Sequence, residues 1–112
     1  MKKIFKNQIA LALAGILAGT SAVAGTLVIN GDTSDPAPKA AFQAVIDGFE
    51  AENPDVDVVY NLFDHEGYKA AIRNFLSADA PDIAFWYAGN RMAPFVEAGL
   101  FAPIDVVWAD QG

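Results

Sequence analysis

Thr26-Leu-Val-Ile-Asn30 is a short, mostly apolar run rich in β-branched residues, which is typical of a strand buried within a sheet. Two further strands are predicted, at residues 56–63 and at residues 83–87. The second alternates between two faces, as a half-buried strand does. The third, Ile-Ala-Phe-Trp-Tyr, is continuously apolar, which is expected of a strand buried on both faces of a parallel sheet.

Segments with helical spacing separate these strands. The first helix is expected to begin at Pro36, with Ser34 or Asp35 as its N-cap, and to end before Pro54. Its apolar positions follow the spacing of one helix face: Phe42, Val45, Ile46 and Phe49.

Two more helices follow the second and third strands. Asp64 suits the N-cap position of the second helix, and Gly99 suits the C′ position after a third helix that contains Phe95. The order βαβαβα predicts an α/β fold with a parallel sheet, right-handed crossovers and helices on both faces.

Ligands of such sheets bind outside the carboxyl ends of the strands, where the strand order reverses. This rule nominates the loops at residues 31–34, 64–65 and 86–91. The last of them holds an indole, a phenol, a carboxamide and a guanidinium: Trp86, Tyr87, Asn90 and Arg91. Aromatic rings offer flat surfaces to the C–H faces of sugars, and polar groups of this kind bind hydroxyls, so the loop favours a carbohydrate ligand.

Each of these residues also has a purely structural interpretation. Trp86 and Tyr87 could belong to the core, Asp32 could satisfy backbone amides in a turn, and Arg91 could pair with a surface acid. His65 lacks a second histidine or a helix-spaced glutamate, so a surface position or a supporting role beside the site is expected rather than metal ligation.

Composition excludes several functional classes. Residues 25–112 contain all fourteen acidic residues and only four of the seven basic residues, so their net charge is −10. Such a chain repels nucleic acid and anionic lipid. The lack of cysteine excludes disulfides and thiolate chemistry, and no G-x-S-x-G, Walker A or G-x-G-x-x-G motif occurs. We therefore expect neither an enzyme nor a cofactor.

The amino terminus has the pattern of an export signal. Three lysines precede an apolar run at residues 9–19, which is too short to span a bilayer, and Ala22-Val-Ala24 matches a signal-peptidase site. Residues 1–24 are therefore predicted to be a signal peptide cleaved after Ala24. The remaining 25–112 make one small domain at most, and the sequence after Trp108 suggests a truncated chain.

Several of these segments resemble extracellular solute-binding proteins of family 1, the periplasmic receptors of ATP-binding-cassette sugar importers. The likeness lies in residues 26–32, in Phe-Glu-Ala-Glu-Asn-Pro at 49–54, and in Ala-Pro-Asp-Ile-Ala-Phe-Trp at 80–86 followed by residues 95–104. It implies a type II lobe of a two-lobed receptor, with this chain ending before the hinge and the second lobe.

The resemblance also places individual residues. Asp32 falls where the family's first loop contacts sugar hydroxyls, and Trp86 where an aromatic residue lines the cleft. Asn90 and Arg91 fall near the position of an acid–arginine pair that bonds the sugar in a member of the family, and Asn90 replaces the acid of that pair. Thr33 stands where the same member has a lysine. The candidate substrate-binding residues are Asp32, Thr33, Asp64, Trp86, Tyr87, Asn90 and Arg91.

The expected function is that of a periplasmic sugar-binding protein that delivers its ligand to an inner-membrane permease and is monomeric at full length. Three alternatives remain at this point: an exported receptor for a metal or another small solute, an exported hydrolase on a similar lobe, and a truncated fragment without function. The isolated residues 25–112 are expected to be marginally stable and to bind sugar weakly, since one lobe supplies one wall of the cleft.

Overall fold

The computed structural model describes residues 25–111, so the predicted signal peptide and its cleavage site lie outside the described residues. Strands and helices alternate along the described chain as far as the third strand. The elements are β1 (Gly25–Gly31), α1 (Pro36–Glu52), β2 (Val56–Leu62), α2 (His65–Ala78), β3 (Ile83–Ala84), a 3₁₀ turn (Gly89–Arg91), α3 (Ala93–Glu97) and α4 (Asp105–Gln111).

The sheet is parallel and has the strand order β2-β1-β3, which confirms the predicted α/β class. β1 pairs with β2 along its whole length, from Gly25 opposite Val56 to Gly31 opposite Leu62. The chain moves from β1 to β2 on one side and then crosses to β3 on the other, so the strand order reverses at β1. The carboxyl end of β1 is therefore the switch point at which the topology favours a ligand site.

The prediction for the third strand is wrong in length and in burial. Only Ile83 and Ala84 pair with β1, and Ile83 is 43% exposed because β3 is an edge strand among the described residues. Asp82 extends the attachment: its backbone N–H donates to Val28 O at 2.9 Å, and its Oδ2 accepts from Val28 N at 2.8 Å. The rest of the apolar run leaves the sheet and lines a cavity instead.

The helix ends follow the predicted chemistry in part. Asp35 is the N-cap of α1 by position, but its side chain makes no capping hydrogen bond. Asp64 caps α2 through its side chain, which accepts from Gly67 N at 2.8 Å. α3 ends in a Schellman motif: Gly99, with φ of 70°, donates to Val96 O and Leu100 donates to Phe95 O, both at 2.9 Å.

The two longer helices cover opposite faces of the sheet. Phe42 of α1 packs on Tyr60 with ring centroids 4.9 Å apart, on the face to which Ile29 contributes. α2 packs on the other face, to which Ala84 contributes, and its core residues are Tyr68, Ile72 and Leu76, joined by Phe95 of α3.

Some predicted apolar positions stay uncovered among the described residues. On α1 Ile46 is buried, whereas Val45 is 64% exposed and Phe49 is 40% exposed. α4 was not expected from the sequence, and its Val106, Val107 and Trp108 are exposed as well. Within the described residues no helix is long and apolar enough to cross a membrane.

Two tyrosines offer a matched test of this packing. The Tyr60 hydroxyl is buried without a hydrogen-bond partner among the described residues, whereas the Tyr68 hydroxyl donates to Asn30 O at 3.0 Å. Tyr60→Phe is expected to raise the free energy of unfolding by about 1 kcal/mol, because a buried unpaired polar group is removed. Tyr68→Phe is expected to lower it by about 1 kcal/mol.

The loss in Tyr68→Phe stays small because Asn30 O also accepts from Phe85 N at 3.1 Å and keeps a partner. Urea denaturation followed by circular dichroism measures both variants against the parent protein. Equal destabilisation by the two changes would contradict the assigned partners.

Candidate functional site

Three loops meet at the carboxyl edge of the sheet and bring three polar side chains together. Asp32 follows β1, His65 opens α2 directly after β2, and Tyr87 follows β3. Because the strands are parallel, all three positions lie at the same edge. The topology alone therefore collects groups that are 22 to 55 positions apart in sequence.

These side chains form a continuous hydrogen-bonded chain. His65 Nδ1 lies 2.6 Å from Asp32 Oδ2, and His65 Nε2 lies 3.0 Å from the Tyr87 hydroxyl. The imidazole and phenol rings meet edge to face, with centroids 6.1 Å apart. The His65 side chain is 50% exposed and that of Asp32 is 22% exposed, so the chain of bonds is open to solutes.

A cavity of about 150 Å³ lies beside these hydrogen-bonded side chains and is lined by Asp32, Tyr68, Phe85, Trp86 and Tyr87. Four of the five lining residues are aromatic. Tyr68 is 1% exposed, and burial raises the pKa of its hydroxyl to about 12, so this hydroxyl keeps its proton and its bond to Asn30. The cavity thus combines ring surfaces with one carboxylate and one accessible hydroxyl.

Trp86 belongs both to the core surface and to the cavity wall. Its ring packs edge to face on Phe95 at 5.7 Å, and its Nε1 donates to Arg91 O at 2.9 Å. One side of the ring is thus fixed by packing, as the core interpretation expects, and the ring also borders two cavities. Contact of Trp86 with a ligand stays a prediction. A ring held in this way is preorganised, because little side-chain entropy remains to be lost on binding.

Asn90 and Arg91 lie in a second, wider cavity of about 350 Å³, which shares Trp86 with the first. The Arg91 guanidinium lies over the Tyr87 ring, 4.6 Å from its centroid, as a cation–π contact. Among the described residues Arg91 forms no salt bridge with an acid, so the expected surface pairing is not found there. Arg91 instead covers the face of Tyr87.

The structure does not bring Thr33 and Asp64 into either cavity. Asp64 is engaged in capping α2, as its alternative role predicted. Tyr68 and Phe85, which sequence reasoning did not assign to the site, line the first cavity. His65, expected at the surface or in a supporting role, is hydrogen-bonded to Asp32 and Tyr87. The signal for Tyr68 was present in its position, one turn into a helix that starts at the carboxyl edge of the sheet.

No group of three or more histidine, aspartate or glutamate side chains within residues 25–111 is arranged to hold a metal ion. The described side chains around the first cavity offer hydrogen-bonding groups and aromatic rings.

Comparison with known proteins bears on the family and the fold of the chain. The sequence model of bacterial extracellular solute-binding proteins matches residues 8–112. Among solved structures, the bacterial solute receptor AcbH, described as having an exclusive substrate preference for β-D-galactopyranose, superposes with a TM-score of 0.68 at 35% sequence identity. That match covers 80% of this chain and 22% of AcbH, and no match was found among curated proteins.

Proposed function

This chain belongs to the bacterial extracellular solute-binding proteins, and we propose that it forms the amino-terminal part of the first lobe of a periplasmic sugar receptor. The receptor captures a carbohydrate and delivers it to an inner-membrane ATP-binding-cassette permease. Both the family and AcbH are solute receptors rather than enzymes, and the proposal gives the site no catalytic step. The full-length receptor acts as a monomer.

One observation supports the sugar most strongly: the Trp86 ring borders the same cavity as the Asp32 carboxylate and the Tyr87 hydroxyl. A pyranose has apolar C–H faces and a rim of hydroxyls. An indole can cover such a face, while a carboxylate and a phenol oxygen can accept hydrogen bonds from the rim. Sites that are mostly apolar with a few convergent polar groups are the usual form of small-molecule sites.

The likeness to AcbH suggests which sugar to try first. AcbH is described as preferring β-D-galactopyranose, and it shares 35% of aligned residues with this chain. Because the matched region is 22% of AcbH, the opposite wall of the cleft lies outside the comparison. Galactose is therefore the first ligand of the test panel, beside glucose, maltose and a non-sugar control such as glycine betaine.

Isothermal titration calorimetry on the full-length receptor tests this proposal. We expect one sugar of the panel to bind saturably, and Asp32→Asn to weaken that binding about 10-fold or more, because a charge-assisted hydrogen bond becomes a neutral one. Asp55→Asn is the matched control, since Asp55 is exposed and precedes β2 at the opposite edge of the sheet. Binding of no sugar, or equal losses in both variants, would contradict the proposal.

Export of the receptor gives a further prediction. The pattern at residues 1–24 predicts cleavage after Ala24, so protein recovered from the periplasm should begin at Gly25. Amino-terminal sequencing checks this directly. Ala24→Leu should block processing, because signal peptidase needs a small residue there, whereas Ala24→Ser should be processed normally. An intact Met1 start on the parent protein in the periplasm would contradict the predicted site.

A further inference from the structure

His65 stands between the two polar groups that border the cavity, and the direction of its hydrogen bonds to them depends on the tautomer of its ring. We propose that His65 is a positioning residue which, as the neutral Nδ1–H tautomer, presents Asp32 and the Tyr87 oxygen to the ligand as two hydrogen-bond acceptors. This inference rests on the proposed function and adds the rule by which the site selects donating hydroxyls of a sugar.

The tautomer follows from the partners of the two ring nitrogens. Asp32 as a carboxylate can only accept hydrogen bonds, so the nitrogen 2.6 Å from its Oδ2 must donate, which places the proton on Nδ1. A neutral imidazole has one N–H, so Nε2 is left as an acceptor. The Tyr87 hydroxyl, 3.0 Å away, must therefore donate to Nε2.

This direction of donation leaves two acceptors beside the cavity. Asp32 Oδ1 accepts from no described residue, and the Tyr87 hydroxyl, whose O–H already donates to His65 Nε2, offers the cavity only the lone pairs of its oxygen. Both atoms belong to residues that line the same cavity. A ligand with two suitably spaced O–H donors satisfies both atoms at once, whereas an isostere that lacks them leaves both unpaired.

The fold does not require this arrangement of His65. Its side chain is half exposed, it is outside the buried core cluster, and capping of α2 is already supplied by Asp64. The two hydrogen bonds are therefore available for orienting the site groups rather than for holding the helix. His65→Gln is accordingly expected to leave the urea midpoint of the protein unchanged.

Protonation of His65 would reverse the direction of the hydrogen bond between its Nε2 and the Tyr87 hydroxyl. Both ring nitrogens would then donate, so the Tyr87 oxygen would accept from Nε2 and turn its own proton toward the cavity. The charged groups around the ring are Asp64, Glu66 and Lys69 on α2, Asp32 from the β1 loop, and Arg91 over the Tyr87 ring. Lys69 is paired with Glu66 at 2.8 Å, so Asp32 is the acid in direct contact with the imidazole.

The first test does not depend on any sugar. Nitrogen-15 spectra of histidine-labelled full-length receptor at pH 8 report which ring nitrogen carries the proton, and the His65 signals are identified by their loss in His65→Gln. We expect the Nδ1–H tautomer in the parent and a shift toward Nε2–H in Asp32→Ala. An Nε2–H tautomer in the parent would overturn the inference, whatever the protein binds.

The second test measures sugar affinity by calorimetry between pH 5 and 8, the range in which histidine changes its charge. The parent is expected to bind several-fold more weakly at the acid end, because one acceptor has become a donor. His65→Gln should bind about 5- to 10-fold more weakly than the parent at pH 8 and should lose the pH dependence.

Tyr87→Phe serves as the matched variant, because it removes the hydroxyl that changes from hydrogen-bond donor to acceptor when His65 is protonated. It should flatten the pH profile while retaining the Nδ1–H tautomer, because the bond to Asp32 remains. A parent-like pH profile in His65→Gln would overturn the inference. If no sugar binds at any pH, the proposed function fails, and the ring tautomer still decides separately whether His65 orients Asp32 and Tyr87.

Discussion

Replacing Trp86 with alanine is expected to weaken sugar binding by the full-length receptor about 5- to 150-fold, or about 1–3 kcal/mol. The indole borders both cavities and is fixed by its bond to Arg91 O and its contact with Phe95. Its removal takes away the largest flat apolar surface of the site. Calorimetric titration with the sugar that binds the parent measures the loss.

Two further variants separate this effect from a general loss of structure. Trp108→Ala removes an indole that is 68% exposed on α4, outside both cavities, and should leave the affinity unchanged. Trp86→Phe keeps a ring against Phe95 and should recover much of the affinity lost in Trp86→Ala. Parent-like affinity in Trp86→Ala would show that the ring serves the core alone.

Ile72→Ala is expected to lower the free energy of unfolding by about 3 kcal/mol, the usual cost of a cavity left by a large aliphatic side chain. Ile72 is 2% exposed and lies in the cluster that α2 forms with Phe95 of α3. This cluster is also the support on which the Trp86 ring rests. Urea denaturation followed by far-ultraviolet circular dichroism measures the change.

The matched control is Ile104→Ala, because Ile104 is 55% exposed and belongs to no buried cluster. Its cost is expected to stay within about 0.5 kcal/mol, as for other surface substitutions. Similar losses at both positions would contradict the assignment of the core to the α2–α3 side of the sheet.

Periodicity predicted the sheet because both long strands carry unambiguous local patterns. The alternation along residues 56–62 appears in the structure as alternating half-buried and exposed positions, and the helical spacing around Ile72 became the buried face of α2. The run at 83–87 was misassigned because an apolar sequence of five residues is equally compatible with a buried strand and with a cavity wall. The length of the third strand is decided by which of its residues pair with β1, and the local sequence of the run does not contain this information.

The site could be predicted to the level of its loops but not of all its contacts. The switch-point rule nominated the loops that hold Asp32, Trp86 and Tyr87, and these three residues line one cavity. It could not separate Asp64 from them, because a carboxylate at the start of a helix can cap that helix or face a ligand. For His65 a surface position or a supporting role was expected, but its partners were not predicted, since Asp32 and Tyr87 come from two other loops and only the folded chain brings them together.

The proposed contact between a sugar and Trp86 can be tested by fluorescence in a Trp108→Phe background, which removes the other tryptophan of these 112 residues. The emission of the Trp86→Phe, Trp108→Phe double variant is subtracted, so that tryptophans elsewhere in the full-length receptor do not contribute. Titration of the full-length receptor with the sugar that binds by calorimetry should change the Trp86 emission saturably. The midpoint should equal the calorimetric Kd. A sugar that binds with the same Kd while the emission of Trp86 stays constant would place the ligand elsewhere and contradict the account.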